Sequence, residues 1–164
     1  AEVVAVDDRP RRLERARLLR CRVLPTADDL PDRIRDLTNG HGADTVVNVS
    51  GATEATQTAL DCLRHAGTAV EASWFGARSS TLDLGRAFHR RRLRIVSSQV
   101  STVSPESASR WSKERRLAFA LGLLDNLRPE RHITHRYPIR DAQQAFDLLA
   151  DPEADVLQIV LTPR

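Results

Sequence analysis

The sequence predicts an α/β fold with a doubly wound, mainly parallel sheet. Three observations point there. Short apolar runs alternate with helix patterns from the first residues onward. The main runs, Val3–Val6, Asp44–Val49 and Thr68–Trp74, are joined through helices of about three turns, as right-handed parallel βαβ units are. Their near-continuous apolar character fits strands covered on both faces.

The elements follow in order. Ala1 to Val6 (AEVVAV) reads as a buried strand ending in an acid pair, Asp7-Asp8. Residues 10–20 carry Leu13, Ala16 and Leu19 at helical spacing, with Leu18 beside them. Cys21 to Leu24 is a short strand closed by Pro25. Asp28 or Asp29 is the expected cap of a helix reaching Leu37, and Asn39-Gly40 with His41-Gly42 marks its end. Asp44 to Val49 is a strand stopped by Ser50-Gly51. Thr53 is placed to cap a helix bearing Ala55, Ala59, Leu60 and Leu63, which Ala66-Gly67 ends before the strand Thr68 to Trp74. Leu84 to Arg91 reads as a short helix and Leu93 to Val100 as a strand. Val103-Ser104-Pro105 then breaks the pattern. A long helix is expected from Ser109 to Asn126, with Trp111, Leu117, Ala118, Leu121 and Leu124 on its apolar side. His132 to Tyr137 is extended, because Pro138 disfavours helix before it. Asp141 is placed to cap a helix bearing Ala142, Ala145, Phe146 and Leu149, and Val156 to Leu161 is the last strand.

Composition narrows the class of function. At 164 residues the chain is long enough to bury a core. Its hydrophobic content of 41% and charged content of 29% are ordinary for a soluble globular protein. No apolar run approaches the ~20 residues of a membrane span. Cys21 and Cys62 stand far apart without metal-ligand spacing, so reduced thiols in a cytoplasmic protein are expected. The net charge of +3 is modest. Arg86, Arg90, Arg91, Arg92 and Arg94 form the densest basic cluster, but without interleaved aromatics it reads as a solvated helix end rather than a nucleic-acid surface. His132 and His135 are three apart in an extended run, so they face opposite sides and do not share a metal. No nucleophile–base pair is ordered by a motif, and no catalytic residue is assigned.

Several stretches carry a resemblance. They are VVAVDDRPRRLERAR, NGHGADTVVNVSG, ALDCLRHAGTAVEASWFG, ITHRYPIRDAQQAFDLL and VLQIVLTP, in that order. Together they resemble the medium-chain alcohol dehydrogenase/reductase family, and SSQVSTVSP with RW is similar to its bacterial zinc-binding subgroup. The resemblance covers essentially the whole chain. It implies a Rossmann-type six-stranded sheet ordered 3-2-1-4-5-6 in which Val3–Val6 is strand two. The chain has no methionine, even at residue 1, and no G-x-G-x-x-G. It is therefore expected to be the latter part of a larger enzyme, without strand one, the phosphate turn or the substrate domain. The edges of strands two and four then either close on each other or stay unpaired. Residues 1–103 are expected to be a partial dinucleotide-binding domain. Residues 104–164 correspond to the segment that in the family packs back toward the substrate domain.

The resemblance also implies site residues. Asp7, at the end of strand two, holds both ribose hydroxyls of NAD and repels the 2′-phosphate of NADP, so NAD is the expected cofactor. An exposed turn acid or capping aspartate is the alternative reading of Asp7. Arg12 falls where the family has a basic residue near the adenosine, or at a solvated helix start. Val49, Ser50 and Gly51 lie beside the cofactor, or form a tight turn that glycine serves anyway. Ala72, Ser73 and Trp74 fall where the fifth strand passes the nicotinamide. Ser73 replaces a common family glycine, and Trp74 is alternatively a core aromatic. Ser98 approaches the carboxamide, and Gln158 replaces a basic residue near the phosphates.

The implied activity is hydride transfer between an alcohol or carbonyl substrate and nicotinamide. Zinc belongs to the family, but its ligands are not in this chain. A zinc-free quinone-reductase-type member and a non-catalytic remnant acting through subunit association are the alternatives. The isolated chain is expected to be inactive. The resemblance further implies a homodimer or homotetramer formed through the edge strand near 92–98.

Overall fold

A computed structural model describes residues 2–151 and 153–163. Ala1, included in the first expected strand, lies outside the described residues. The chain divides into two compact units, the first ending at Ser101 and the second starting at Thr102. Every strand pair in both units is parallel, as the alternating pattern requires.

In the first unit, β1 (Val4–Asp7) pairs with β2 (Arg22–Pro25), and α1 (Pro10–Leu18) connects them. Pro10 suits the first helical turn, where its missing N–H leaves no bond unmade. Leu13 is the buried residue of α1. Next, α2 (Leu30–Leu37) buries Leu30 and Ile34, four residues apart on one face. Its C-terminal turn is tied by Thr38 Oγ1, which donates to the Ile34 carbonyl at 2.7 Å. A three-stranded sheet follows in the order β3 (Ala43–Asn48), β4 (Leu63–Glu71), β5 (Arg94–Ser97), with α3 (Ala55–Cys62) between β3 and β4. A π-helical turn at Leu84–Phe88 precedes β5.

Among the described residues, β1 and β3 share no ladder. The two sheets are joined instead by apolar packing. Leu24, Leu30, Ile34 and Cys62 form one buried cluster, with Val4, Leu37, Ala43 and Val46 against it. Ala59, Leu60, Leu63, Ala69 and Leu93 form the other, which Val46 also touches. Val46 therefore links both cores.

In the second unit, α4 (Lys113–Gly122) and α5 (Leu124–Leu127) precede β6 (Ile133–Pro138), α6 (Ala142–Ala150) and β7 (Gln158–Thr162). β6 pairs with β7. Ser112 caps α4, its Oγ accepting the Arg115 N–H at 3.1 Å.

The structure departs from expectation at several elements. Burial is one-sided in β3: Val46 is half-buried and Asn48 buried, while Thr45 and Val47 are exposed. β5 is exposed throughout. The helix expected to carry Leu63 ends at Cys62, because Leu63 enters β4 opposite Ala43. Glu54, not Thr53, is the N-cap residue of α3, and Thr53 Oγ1 turns to the Glu54 carboxylate at 2.9 Å. Asp29 and Asp141 stand at N-caps without a side-chain cap bond. β4 stops at Glu71, so Ala72, Ser73 and Trp74 lie beyond the strand. The long helix is interrupted at Leu123 and starts only after Ser112. Trp111 therefore precedes it, packing edge-on to Phe119 with Arg115 over its ring. His132 closes a 3-10 turn before β6 begins at Ile133.

Candidate functional site

The expected site residues fall at strand ends. Asp7 is the last residue of β1. Its Oδ1 accepts the Arg9 N–H at 2.9 Å, which bends the chain into α1. Its Oδ2 lies 3.7 Å from an Arg12 guanidinium nitrogen, and the Asp7 side chain is 29% exposed. One carboxylate oxygen thus shapes the turn. The other makes a loose ionic contact, and the partly exposed carboxylate keeps acceptor capacity.

The ends of β3 and β4 are tied by a polar network. Asn48 and Glu71 are register partners. Asn48 Nδ2 donates to Glu71 Oε2 at 2.9 Å, and the Thr56 hydroxyl of α3 donates to the same oxygen at 3.0 Å. Glu71 Oε1 accepts the Ser73 N–H at 3.0 Å. Asn48 Oδ1 accepts both the N–H and the hydroxyl of Ser50, at 3.0 and 2.8 Å. Ser73 Oγ donates to the Asn48 carbonyl at 3.2 Å and accepts the Gly51 N–H at 3.0 Å. Asn48 and Thr56 are buried. Among the described residues no buried side-chain polar atom lacks a partner.

The segment after β4 is latched to the same edge. Arg78 donates to the Gly51 carbonyl at 2.9 Å, and Ser80 Oγ to the Thr53 carbonyl at 2.7 Å. Gly51 sits at φ +73 with nothing within 4 Å of where a Cβ would stand. The left-handed conformation is what calls for glycine there. Val49 is 75% and Trp74 89% exposed. The core-aromatic reading of Trp74 is thereby overturned: it lies past the end of β4, and no element among the described residues covers it. The Ser98 N–H donates to the Glu71 carbonyl at 2.8 Å, extending the β4–β5 ladder by one residue.

Val49, Ser50, Gly51, Ala72, Ser73, Trp74 and Ser98 thus gather at the carboxyl ends of β3, β4 and β5, where open parallel sheets bind ligands. Asp7 and Arg12 sit together at the end of β1. Gln158 opens β7 in the second unit, where its amide nitrogen donates to the Ile159 carbonyl.

The sequence profile of the zinc-binding dehydrogenase family matches residues 1–118. The chain belongs to this family. It is 30% identical to an L-threonine 3-dehydrogenase of Symbiobacterium thermophilum over 98% of its own length and 44% of the relative's. It is 27% identical to a sorbitol dehydrogenase of Halalkalibacterium halodurans over 82% of its length and 36% of the relative's. An alcohol dehydrogenase structure from Thermotoga maritima superposes with a TM-score of 0.80 at 21% identity. That superposition covers all of this chain and 44% of the other, and it establishes the fold. The chain spans less than half the length of these relatives.

Two groups are implied by a zinc-binding dehydrogenase. Zinc does not fit the residues present: among those described, no cluster of three or more His, Cys, Asp or Glu is placed to hold a metal. A nicotinamide dinucleotide fits in part. The partly exposed Asp7 carboxylate suits a diol, and the open, left-handed Gly51 turn admits a close approach of ligand to backbone.

Asn48, Thr56 and Glu71 escaped the sequence reading. Two polar residues inside apolar runs, VVNV and AVEA, were the available signal. Only the parallel register places them opposite each other. The buried Cys62 is the last residue of α3, where burial first and the Asp61 charge second push its thiol up to about 11, partly offset by Arg35.

Proposed function

We propose that this chain is the cofactor-binding portion of an NAD(H)-dependent alcohol or polyol dehydrogenase. The observation that carries the reading is the partly exposed carboxylate of Asp7 at the end of a parallel strand. When bound, the cofactor supplies the nicotinamide carbon that accepts or returns a hydride. Asp7 accepts the adenosine ribose hydroxyls, and with Asp8 it repels a 2′-phosphate, which favours NAD over NADP. Arg12 neutralises part of the Asp7 charge near the adenosine. Val49, Ser50, Gly51, Ala72, Ser73, Trp74 and Ser98 form the nicotinamide-side edge. Zinc, where the reaction uses it, is held by residues other than those described here.

The named relatives, a sorbitol and a threonine dehydrogenase, support a small-molecule alcohol or carbonyl substrate. The exposed residues of β5, and its outer edge without a strand partner among the described residues, support association of two copies through that strand. Two free cysteines support a reducing, cytoplasmic setting. No helix among the described residues is long and apolar enough to cross a membrane.

The test is binding. Amide NMR titration of the isotope-labelled chain with NADH is expected to give a dissociation constant of about 1 mM, roughly −4 kcal/mol, centred on Asp7, Ser50 and Gly51. NADPH is expected to bind more weakly. Equal or tighter binding of NADPH contradicts the assignment of Asp7. Supplying the N-terminal portion of a relative is expected to yield NAD reduction with an alcohol or polyol. No oxidation across a broad panel of alcohols would sink the activity.

A further inference from the structure

We propose that Glu71 is the positioning residue of the nicotinamide-side edge, a role that rests on the cofactor reading above. One carboxylate gathers donors from three separate elements: Asn48 at the end of β3, Thr56 in α3, and the Ser73 N–H beyond β4. Asn48 passes the constraint to Ser50 through two bonds. Ser73 passes it to Gly51 through one. The Ser73 N–H is therefore held directly by Glu71, and the Ser50 and Gly51 N–H groups at one remove.

The polarity of the network is fixed by its chemistry. An ionised carboxylate only accepts, and all three of its partners donate. Asn48 has one oxygen and spends it on Ser50, so its NH2 must face Glu71. Glu71→Gln puts an NH2 where an acceptor is required. Turned one way it opposes the Ser73 N–H, and turned the other it opposes Asn48 Nδ2. Relaxing the clash by flipping Asn48 turns its NH2 toward the Ser50 N–H. The side chain keeps its size while the ligand edge loses its anchor.

The same reasoning supplies a rescue. In the Asn48→Asp, Glu71→Gln double variant, one aspartate oxygen accepts the glutamine NH2 and the other still accepts Ser50. The glutamine oxygen accepts Ser73 N–H, and the Thr56 hydroxyl reverses to accept the second amide hydrogen. The negative charge moves from β4 to β3 and every bond is restored.

The experiment titrates the full chain and its variants with NADH by amide NMR, with thermal unfolding alongside. Glu71→Gln is expected to weaken binding by about tenfold, to move the Ser50, Gly51 and Ser73 amides, and to unfold within a few degrees of the parent. The double variant is expected to recover the parent affinity to within about threefold, as coupled neighbours do. Unchanged affinity in Glu71→Gln, or no recovery in the double variant, overturns the inference while the cofactor reading stands. Failure of the parent chain to bind NADH overturns both. If Glu71→Gln does not fold, Thr56→Val removes a single donor, with an expected loss of about threefold. Unchanged affinity there overturns the inference too.

Discussion

Gly42 fixes where β3 meets β4, and its replacement by alanine has a size that can be worked from the structure. Gly42 sits at φ +92, immediately before β3. A Cβ there would stand 2.9 Å from the Arg64 nitrogen, the Cys62 carbonyl oxygen and the Leu63 carbonyl carbon. All three are backbone atoms at the junction of α3 and β4, so no side chain can swing away. Gly40, two residues earlier, has φ +85 and nothing within 4 Å of a Cβ. Alanine at Gly40 therefore meets the left-handed strain alone, about 1 kcal/mol. Alanine at Gly42 meets that strain plus overpacking against fixed backbone, a further ~1–3 kcal/mol. The total of roughly 2–4 kcal/mol is a large part of the ~5–15 kcal/mol that holds a domain of this size. Urea unfolding followed by far-UV circular dichroism, on both variants and the parent, isolates the steric part by difference. If Gly42→Ala unfolds at the same urea concentration as Gly40→Ala, the close approach does not constrain the fold, and the reasoning is wrong.

Three further outcomes are expected. Asp7→Ala removes the proposed ribose acceptor and one negative charge, so NADH binding is expected to weaken about tenfold while NADPH binding is unchanged or improved; equal losses for both, by NMR titration, would contradict the role. Leu60→Ala, at 1% exposure in the core beneath β4, lowers unfolding free energy by about 2–5 kcal/mol in urea titration, and a loss below ~1 kcal/mol would refute its packing. The Cys62 thiol has a folded-state pKa raised to about 11 from 9.0, so the native state keeps a proton that the unfolded chain releases. Its stabilising share is complete below pH 9 and lost as pH rises through 9 to 11, and iodoacetamide at pH 8 labels the half-buried Cys21 well before Cys62. Faster labelling of Cys62 would show that α3 opens readily.

The parallel architecture was legible because its cues are local. The run ending at Asp7 had apolar residues, an acid at the turn and Pro10 opening a helix, and β1, the turn and α1 appear there. Leu63 was illegible for a physical reason. It lies four residues after Ala59, so helical spacing claims it, yet burial against Ala69 satisfies a leucine equally well from a strand. Trp74 looked like core by its size, but coverage depends on where β4 stops, and that is set by pairing with β3 and β5. The Asn48–Glu71 bridge depends on register between segments 23 residues apart in the chain, which no local pattern encodes.

The way β1–β2 and β3–β4–β5 are joined has a mechanical consequence. Ladder bonds are directional and resist sliding, whereas apolar contacts are non-directional and tolerate small displacements. Val4, Leu24, Val46 and Cys62 meet across the boundary in one apolar cluster. Among the described residues no ladder crosses this boundary, so it resists sliding less than either ladder does. Asp7 lies on one side of it, and Ser50 and Gly51 on the other. The two halves of the proposed ligand edge stand on separate ladders, so small displacements across the apolar boundary would change the spacing between them.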